Sequence, residues 1–209
     1  MPDCYVQYGC GFCVGEGWLN FDASPTLRIE RIPLIGKLIS AALSGNDERF
    51  PDAVRYGDIC KGPLVAPGTA AGIYASHVLE HLSLADFRVA LVNTYAMWAP
   101  GGAFRLIVPD LLARTQCYLG STEASAAEDF MRATTLGKEA RKSGVSGLLR
   151  EWLGNSAHQW MWDEIGFTRI RRCEHGDSGI ATFDVIEEAS RFYDPVLDIR
   201  ECAMEAWKP

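Results

Sequence analysis

The chain has 209 residues, 48% of them apolar and 22% charged, and a formal net charge of −7. That is one domain's length with enough apolar chain for a sizeable core, and it excludes disorder, collagen and coiled coil. The acidic balance excludes a general nucleic-acid coat, and no apolar run reaches the roughly 18–20 residues that span a bilayer.

Residues 4–8 (Cys-Tyr-Val-Gln-Tyr) form a β-prone run. A loop follows with four glycines in residues 9–17, able to approach a ligand closely. Trp18 to Asp22 reads as a second strand ending in an acid, broken by Ala23-Ser24-Pro25. Pro33 to Leu43 is helix-like, with Pro at a first-turn position and Gly45 beyond the end. Val54 to Ile59 is a third strand that passes through Asp58. Gly72 to Ser76 is a fourth, followed by His77-Val-Leu-Glu80-His81.

From Ser83 the spacing of Leu84, Phe87, Leu91, Tyr95 and Trp98 predicts an amphipathic helix capped by Ser83 and stopped by Pro100-Gly101-Gly102. Phe104 to Val108 is the clearest strand, and Pro109-Asp110 turns it into another helix. Residues 121–157 read as helical, with a basic cluster at Lys138, Arg141, Lys142 and Arg150. Phe167–Cys173 and Leu197–Trp207 read as closing strands. This alternation predicts an α/β fold: a Rossmann-like doubly wound sheet, mostly parallel, with an antiparallel closing strand. Residues 1–209 form a single domain, and residues 112–163 are a helical insertion or lid on the acceptor side.

Ligands of such sheets bind beyond the carboxyl ends of the strands. Here those ends carry Gly9, Cys10, Gly11, Asp22, Ala23, Asp58, Ile59, Ser76, His77 and Asp110. One acid suits a ribose diol, the next an adenine amine. Either is also a common turn residue. Val14 stands where a third glycine of GxGxxG would be, so a pyrophosphate cradle is disfavoured, and no Walker loop is present. Seven cysteines are scattered. Cys10-Gly-Phe-Cys13 has no second Cys/His pair, and His77/His81 lacks a third ligand, so no metal is expected. Reduced thiols suit a cytoplasmic protein, and Met1-Pro2-Asp3 opens no secretory signal.

The runs Tyr8-Gly-Cys-Gly11, Gly17 to Asp22, Gly57-Asp58-Ile59, Tyr74 to His81, Ala99 to Gly102 and Val108 to Leu111 together resemble the class I S-adenosylmethionine-dependent methyltransferases. They are similar in particular to a small bacterial "predicted methyltransferase" branch of the type 11 kind. His158 to Asp163 and Gly166-Phe167 resemble that branch too.

The resemblance implies S-adenosylmethionine as cofactor and S-adenosylhomocysteine as product. Gly9, Cys10 and Gly11 would line the methionine and ribose part. Asp22, with Ala23, would hold the ribose hydroxyls; Asp58 and Ile59 would read adenine; Ser76 and His77 would sit beside the sulfonium. His77, His81 and His158 are the candidate bases, with Asp110 orienting an acceptor or capping its helix. The implied reaction is methyl transfer to a small-molecule or carbohydrate-like acceptor at oxygen, with no nucleic acid, no membrane span, and a homodimer left open.

Two departures stand out. Tyr8 replaces an acid common in the family, and only six residues separate Gly11 from Trp18, which predicts an open cofactor side. The alternative is a catalytically degenerate member of this fold that works through a protein partner.

Overall fold

In the computed structural model the residues described are 4–33, 49–137, 157–163 and 170–209. The sheet strands are Cys4–Tyr8 (β1), Trp18–Asp22 (β2), Val54–Tyr56 (β3), Ala70–Ser76 (β4), Trp98–Val108 (β5), Arg171–Arg172 (β6) and Cys202–Trp207 (β9). A separate hairpin pairs Tyr193–Asp194 (β7) with Ile199–Arg200 (β8). The sheet order is β3-β2-β1-β4-β5-β9-β6. Strands β1 to β5 pair in parallel, and β9 lies antiparallel between β5 and β6. This is the expected Rossmann-like sheet with its antiparallel closing strand.

The apolar runs of β4 and β5 are buried on both faces, as parallel strands require. Alternation sends Ile73, Ala75, Phe104 and Leu106 to one face, where Phe87, Ala90 and Met97 of the helix Leu84–Met97 (α2) pack on them. Tyr74, Ala103 and Ile107 face the other way. No helix lies between β1 and β2 to cover that second face. It is covered by residues 180–192, two short 3₁₀ turns that set Phe183, Ile186 and Phe192 against the sheet. The Phe183 ring meets those of Trp18 and Tyr74 edge-on at 5.2 and 6.1 Å, and Trp18 Nε1 donates to the Thr182 carbonyl at 3.2 Å.

A buried arginine fastens this cover. Arg105 on β5 stands opposite Glu205 on β9 and is fully buried. Its guanidinium donates to Glu205 and Asp177 at 3.2 Å each and also contacts Glu187 and the Glu174 carbonyl. A charge so buried is tolerated only because carboxylates and a carbonyl surround it.

Several sequence expectations change. Ser24 and Pro25 start a helix, Pro25–Glu30 (α1), because the Ser24 hydroxyl caps the Thr26 amide at 3.2 Å and Pro occupies the first turn. Pro100-Gly101-Gly102 does not stop α2, which ends at Met97. The three residues lie inside β5, where Gly102 lets the β4 backbone approach; a Cβ there would stand 2.7 Å from the Ala71 carbonyl. The buried face of α2 runs through Phe87, Ala90, Thr94 and Met97 rather than Tyr95, which is exposed with Lys208 Nζ 4.1 Å over its ring.

The third strand stops at Tyr56, before Asp58, and the final strand begins only at Cys202. Within the predicted lid, Leu111–Gly120 (α3) and Ala126–Ala133 (α4) are helical. The basic cluster at 138–150, all but the first residue of the predicted helix at 33–43, and residues 167–169 of the strand predicted at 167–173 lie outside the described residues; of that strand, Arg171–Arg172 form β6.

Candidate active site

At the carboxyl ends of β1 and β2, Gly11 and Asp22 are coupled. Asp22 is buried, and its Oδ2 accepts from the Gly11 amide at 2.9 Å while Oδ1 accepts from the Ser24 amide at 2.7 Å. Gly11 has φ +55°, and the direction its Cβ would take is open for at least 4 Å. Gly9 differs. It also has positive φ, +62°, but its Cβ position lies 2.1 Å from Cγ2 of Val78. Gly9 is therefore needed for close packing against the loop after β4, and not only for a ligand's approach.

Asp58 forms a turn, its Oδ1 accepting from the Cys60 amide at 3.0 Å, and pairs with Lys61 at 3.0 Å. The Ile59 carbonyl accepts from Asn93 at 2.7 Å. Tyr8 is buried, its hydroxyl 3.2 Å from Thr94 Oγ1, and burial pushes its pKa well above the usual phenol range. Cys10 is a buried thiol, and burial, then the nearby Asp22 carboxylate, push it up to about 12, far from a reactive thiolate. All seven cysteines are free.

The fold gathers the histidines. His77 sits just past β4 with its amide donating to the Ile107 carbonyl, so the ladder runs one residue beyond the strand, and its own φ is +53°. Leu79–His81 is a 3₁₀ turn that buries Glu80 completely. His77 Nδ1 lies 3.4 Å from Glu80 Oε1, and its Nε2 lies 2.9 Å from the Arg191 carbonyl. With acceptors on both nitrogens the imidazolium is favoured. Burial pulls the His77 pKa down, but the Glu80 carboxylate, the Arg191 carbonyl and Glu201 together outweigh it and the net shift is upward.

His158 joins from the 157–163 segment, its ring 5.3 Å from that of His81. Burial, partly offset by Glu80, lowers the His158 pKa, so its ring stays neutral near pH 7. The segment is held because the amides of Gln159 and Trp160 donate to the Glu80 carbonyl at 2.7 and 3.2 Å. Trp162 stacks on Phe87 at 4.2 Å as core, whereas Trp160 is exposed.

Asp110 is committed elsewhere. It caps α3 through the Ala113 amide at 3.0 Å and pairs with Arg172 at 2.8 Å, while its amide donates to Glu201. Ser76 Oγ and Gln7 Oε1 are buried without a hydrogen-bond partner among the described residues.

The expected open side is closed in this structure. Residues 182–191 reach Trp18, Cys13 and His77, with Cys13 Sγ 3.9 Å from the Ile186 carbonyl. A cavity of about 440 Å³ opens instead on the β6 side, lined by Arg172, Cys173, His175, Phe192 and Glu201 among others. Two features were hidden from sequence reasoning. Glu80 is the hub of the histidines, a role hinted at only by its spacing of three from His77 and one from His81. The 182–191 cover carries no sequence signal of its kind.

No protein-family model and no curated protein matches the chain. Among solved structures, it is similar to a SAM-dependent methyltransferase from Archaeoglobus fulgidus, 13% identical over 98% of this chain and 86% of that one, TM-score 0.41. It is also similar to PigF with SAH, 14% identical over 99% and 50%, TM-score 0.42. An S-adenosylmethionine-dependent methyltransferase from Mesorhizobium loti is 20% identical over 51% and 46%, TM-score 0.32. The chain thus spans about half the length of several structures it matches, 46% and 50% in the last two. Likenesses this distant do not bear on which residues act.

Proposed function

We propose that this chain transfers a methyl group from S-adenosylmethionine to a hydroxyl of a small or carbohydrate-like acceptor. The observation that carries the reading is the pairing of Asp22 with the Gly11 turn. It puts a buried carboxylate beside a backbone with open space before it, at the ends of two adjacent parallel strands. Each oxygen of Asp22 accepts one described amide bond and retains a lone pair, which suits two ribose hydroxyls. Asp58 and the Ile59 backbone follow on the β3 side, and Ser76 and His77 on the β4 side. These residues fit the nucleoside half of the cofactor. At Gly9 the fit is tighter, since Val78 stands where a Cβ would be.

When bound, the cofactor supplies an electrophilic methyl group; the chain supplies alignment and a proton acceptor. His77, with both nitrogens engaged, serves to hold the cover over the site. The neutral ring of His158, beside His81, is the better acceptor for a hydroxyl proton. Asp110 acts through its cap and its ion pair with Arg172.

Calorimetric titration with S-adenosylhomocysteine tests the reading. Binding is expected, weakened about tenfold or more by Asp22→Ala while the circular dichroism spectrum is retained. Absence of binding up to about 1 mM would favour the second reading, a binding protein of this fold without catalysis. That reading is supported by Val78 against Gly9 and by Tyr8, buried where the family commonly has an acid.

A further inference from the structure

Glu80 is fully buried, and neither of its side-chain oxygens has a hydrogen-bond partner among the described residues, although His77 Nδ1 and His81 Nε2 come within 3.4 and 3.9 Å of Oε1. A buried carboxylate without hydrogen bonds is costly, and among the described residues the cation-forming groups within 4.0 Å of it are the imidazoles of His77 and His81. His158 Nδ1 is likewise buried with no hydrogen-bond partner. One ligand atom from each of Glu80, His81 and His158 lies within 4.8 Å of the other two. His81 Nδ1 is 3.2 Å from the Ala157 carbonyl, an outer hydrogen bond of the kind that fixes a metal-bound imidazole with its other nitrogen inward. The His81 side chain is one-quarter exposed, which gives an ion a way in.

We infer that Glu80, His81 and His158 form a binding site for a divalent transition-metal ion, with zinc the best match. Two imidazoles and one carboxylate are the protein ligands of an open tetrahedral zinc site, with bonds of about 2.0–2.2 Å and the fourth position left to water or to an oxygen of another molecule. His77 Nδ1 and His81 Nε2 approach the same carboxylate oxygen, Glu80 Oε1. With an ion bound, the His158 lone pair is engaged, and the ion, by acidifying an acceptor hydroxyl bound to it, replaces the free imidazole as the group that activates the hydroxyl. The site does not depend on methyl transfer, because the ion binds with no cofactor present.

The test uses the full chain, stripped with a chelator and dialysed against zinc alone, with cobalt as a spectroscopic substitute. One ion per chain is expected, with cobalt bands of nitrogen and oxygen ligation and no thiolate charge-transfer band. His158→Ala and His81→Ala should each weaken binding by about 100-fold or more while the circular dichroism spectrum is unchanged. Glu80→Gln should do the same if it folds. Cys10→Ser with Cys13→Ser should leave affinity unchanged. No stoichiometric binding, affinity undiminished in both histidine variants, or a thiolate band would overturn the site. Titration with S-adenosylhomocysteine, run separately without metal, reports on the methyltransferase reading alone.

Discussion

His77 Nε2 lies 2.9 Å from the carbonyl oxygen of Arg191, a contact across 114 residues that joins the end of β4 to the segment covering it. A carbonyl can only accept, so Nε2 carries the hydrogen and donates, a bond of about 1 kcal/mol. His77→Ala should therefore loosen residues 182–192 without unfolding the sheet. Hydrogen exchange should show faster amides there and unchanged amides in β4 and β5. Equal protection in both proteins would show that the contact does not hold the cover.

Gly9 and Gly11 share a left-handed backbone but differ in what surrounds them, so their alanine variants should separate. Gly11→Ala meets open space and bears only the backbone penalty, about 1 kcal/mol. Gly9→Ala adds a Cβ 2.1 Å from Val78 and should cost about 2–4 kcal/mol in urea unfolding. Val78→Ala should recover part of the loss. If the two single variants were equally stable, the packing role of Gly9 would be wrong.

Removing Arg105 leaves Glu187 buried without its cation and Glu205 with Arg171 alone, 3.1 Å away. Arg105→Ala should destabilise by about 3–5 kcal/mol, most of it from the uncompensated carboxylates. Arg105→Met combined with Glu187→Gln and Glu205→Gln should recover much of that in chemical denaturation. A triple variant no more stable than the single one would point to geometry, not charge, as the function of the cluster.

Asp177 provides the pH signature of the same cluster. Burial alone would raise its pKa, but the Glu174 backbone and the Arg105 and Arg171 guanidiniums hold it below the ordinary carboxylate value. A depressed folded pKa gives stability that is complete above the unfolded value, about 3.9, and is lost as pH falls through the lower folded value. Asp177→Asn should flatten the stability-against-pH curve in that acid window and leave its shape near neutrality unchanged. An identical acid limb in both proteins would refute the assignment.

The central strands were legible because β1, β2, β4 and the Phe104–Val108 half of β5 are short apolar runs bounded by glycine, proline or acid, and parallel strands buried on both faces leave that trace. The Ser83 cap was legible as well, and it accepts from the Asp86 amide at 3.2 Å. Helix α1 was not, because Ser24-Pro25 reads equally as a strand breaker and as a helix start. Whether Tyr95 or Thr94 faces the core depends on one-residue rotation about α2, which spacing of apolar residues does not decide when Thr94 is needed inside to meet Tyr8. Glu80 was visible as a residue but not as a hub. Its burial depends on the 157–163 segment folding back over the 3₁₀ turn, a contact between parts of the chain almost 80 residues apart.

The cover over the second face has a consequence for the order of folding. Tyr5, Trp18 and Tyr74 belong to strands made early, yet the residues that shield them, Phe183, Ile186 and Phe192, are made more than 100 positions later. Strand β9, which pairs with β5, comes later still. During synthesis the first four strands can pair with each other while one aromatic face stays wet. Loop closure over such distances is slow, and the exposed face is the sort of surface on which partly made chains associate. Arg105, inserted into β5 well before its acid partners exist, keeps that face from being uniformly apolar until residues 174–205 arrive to neutralise it.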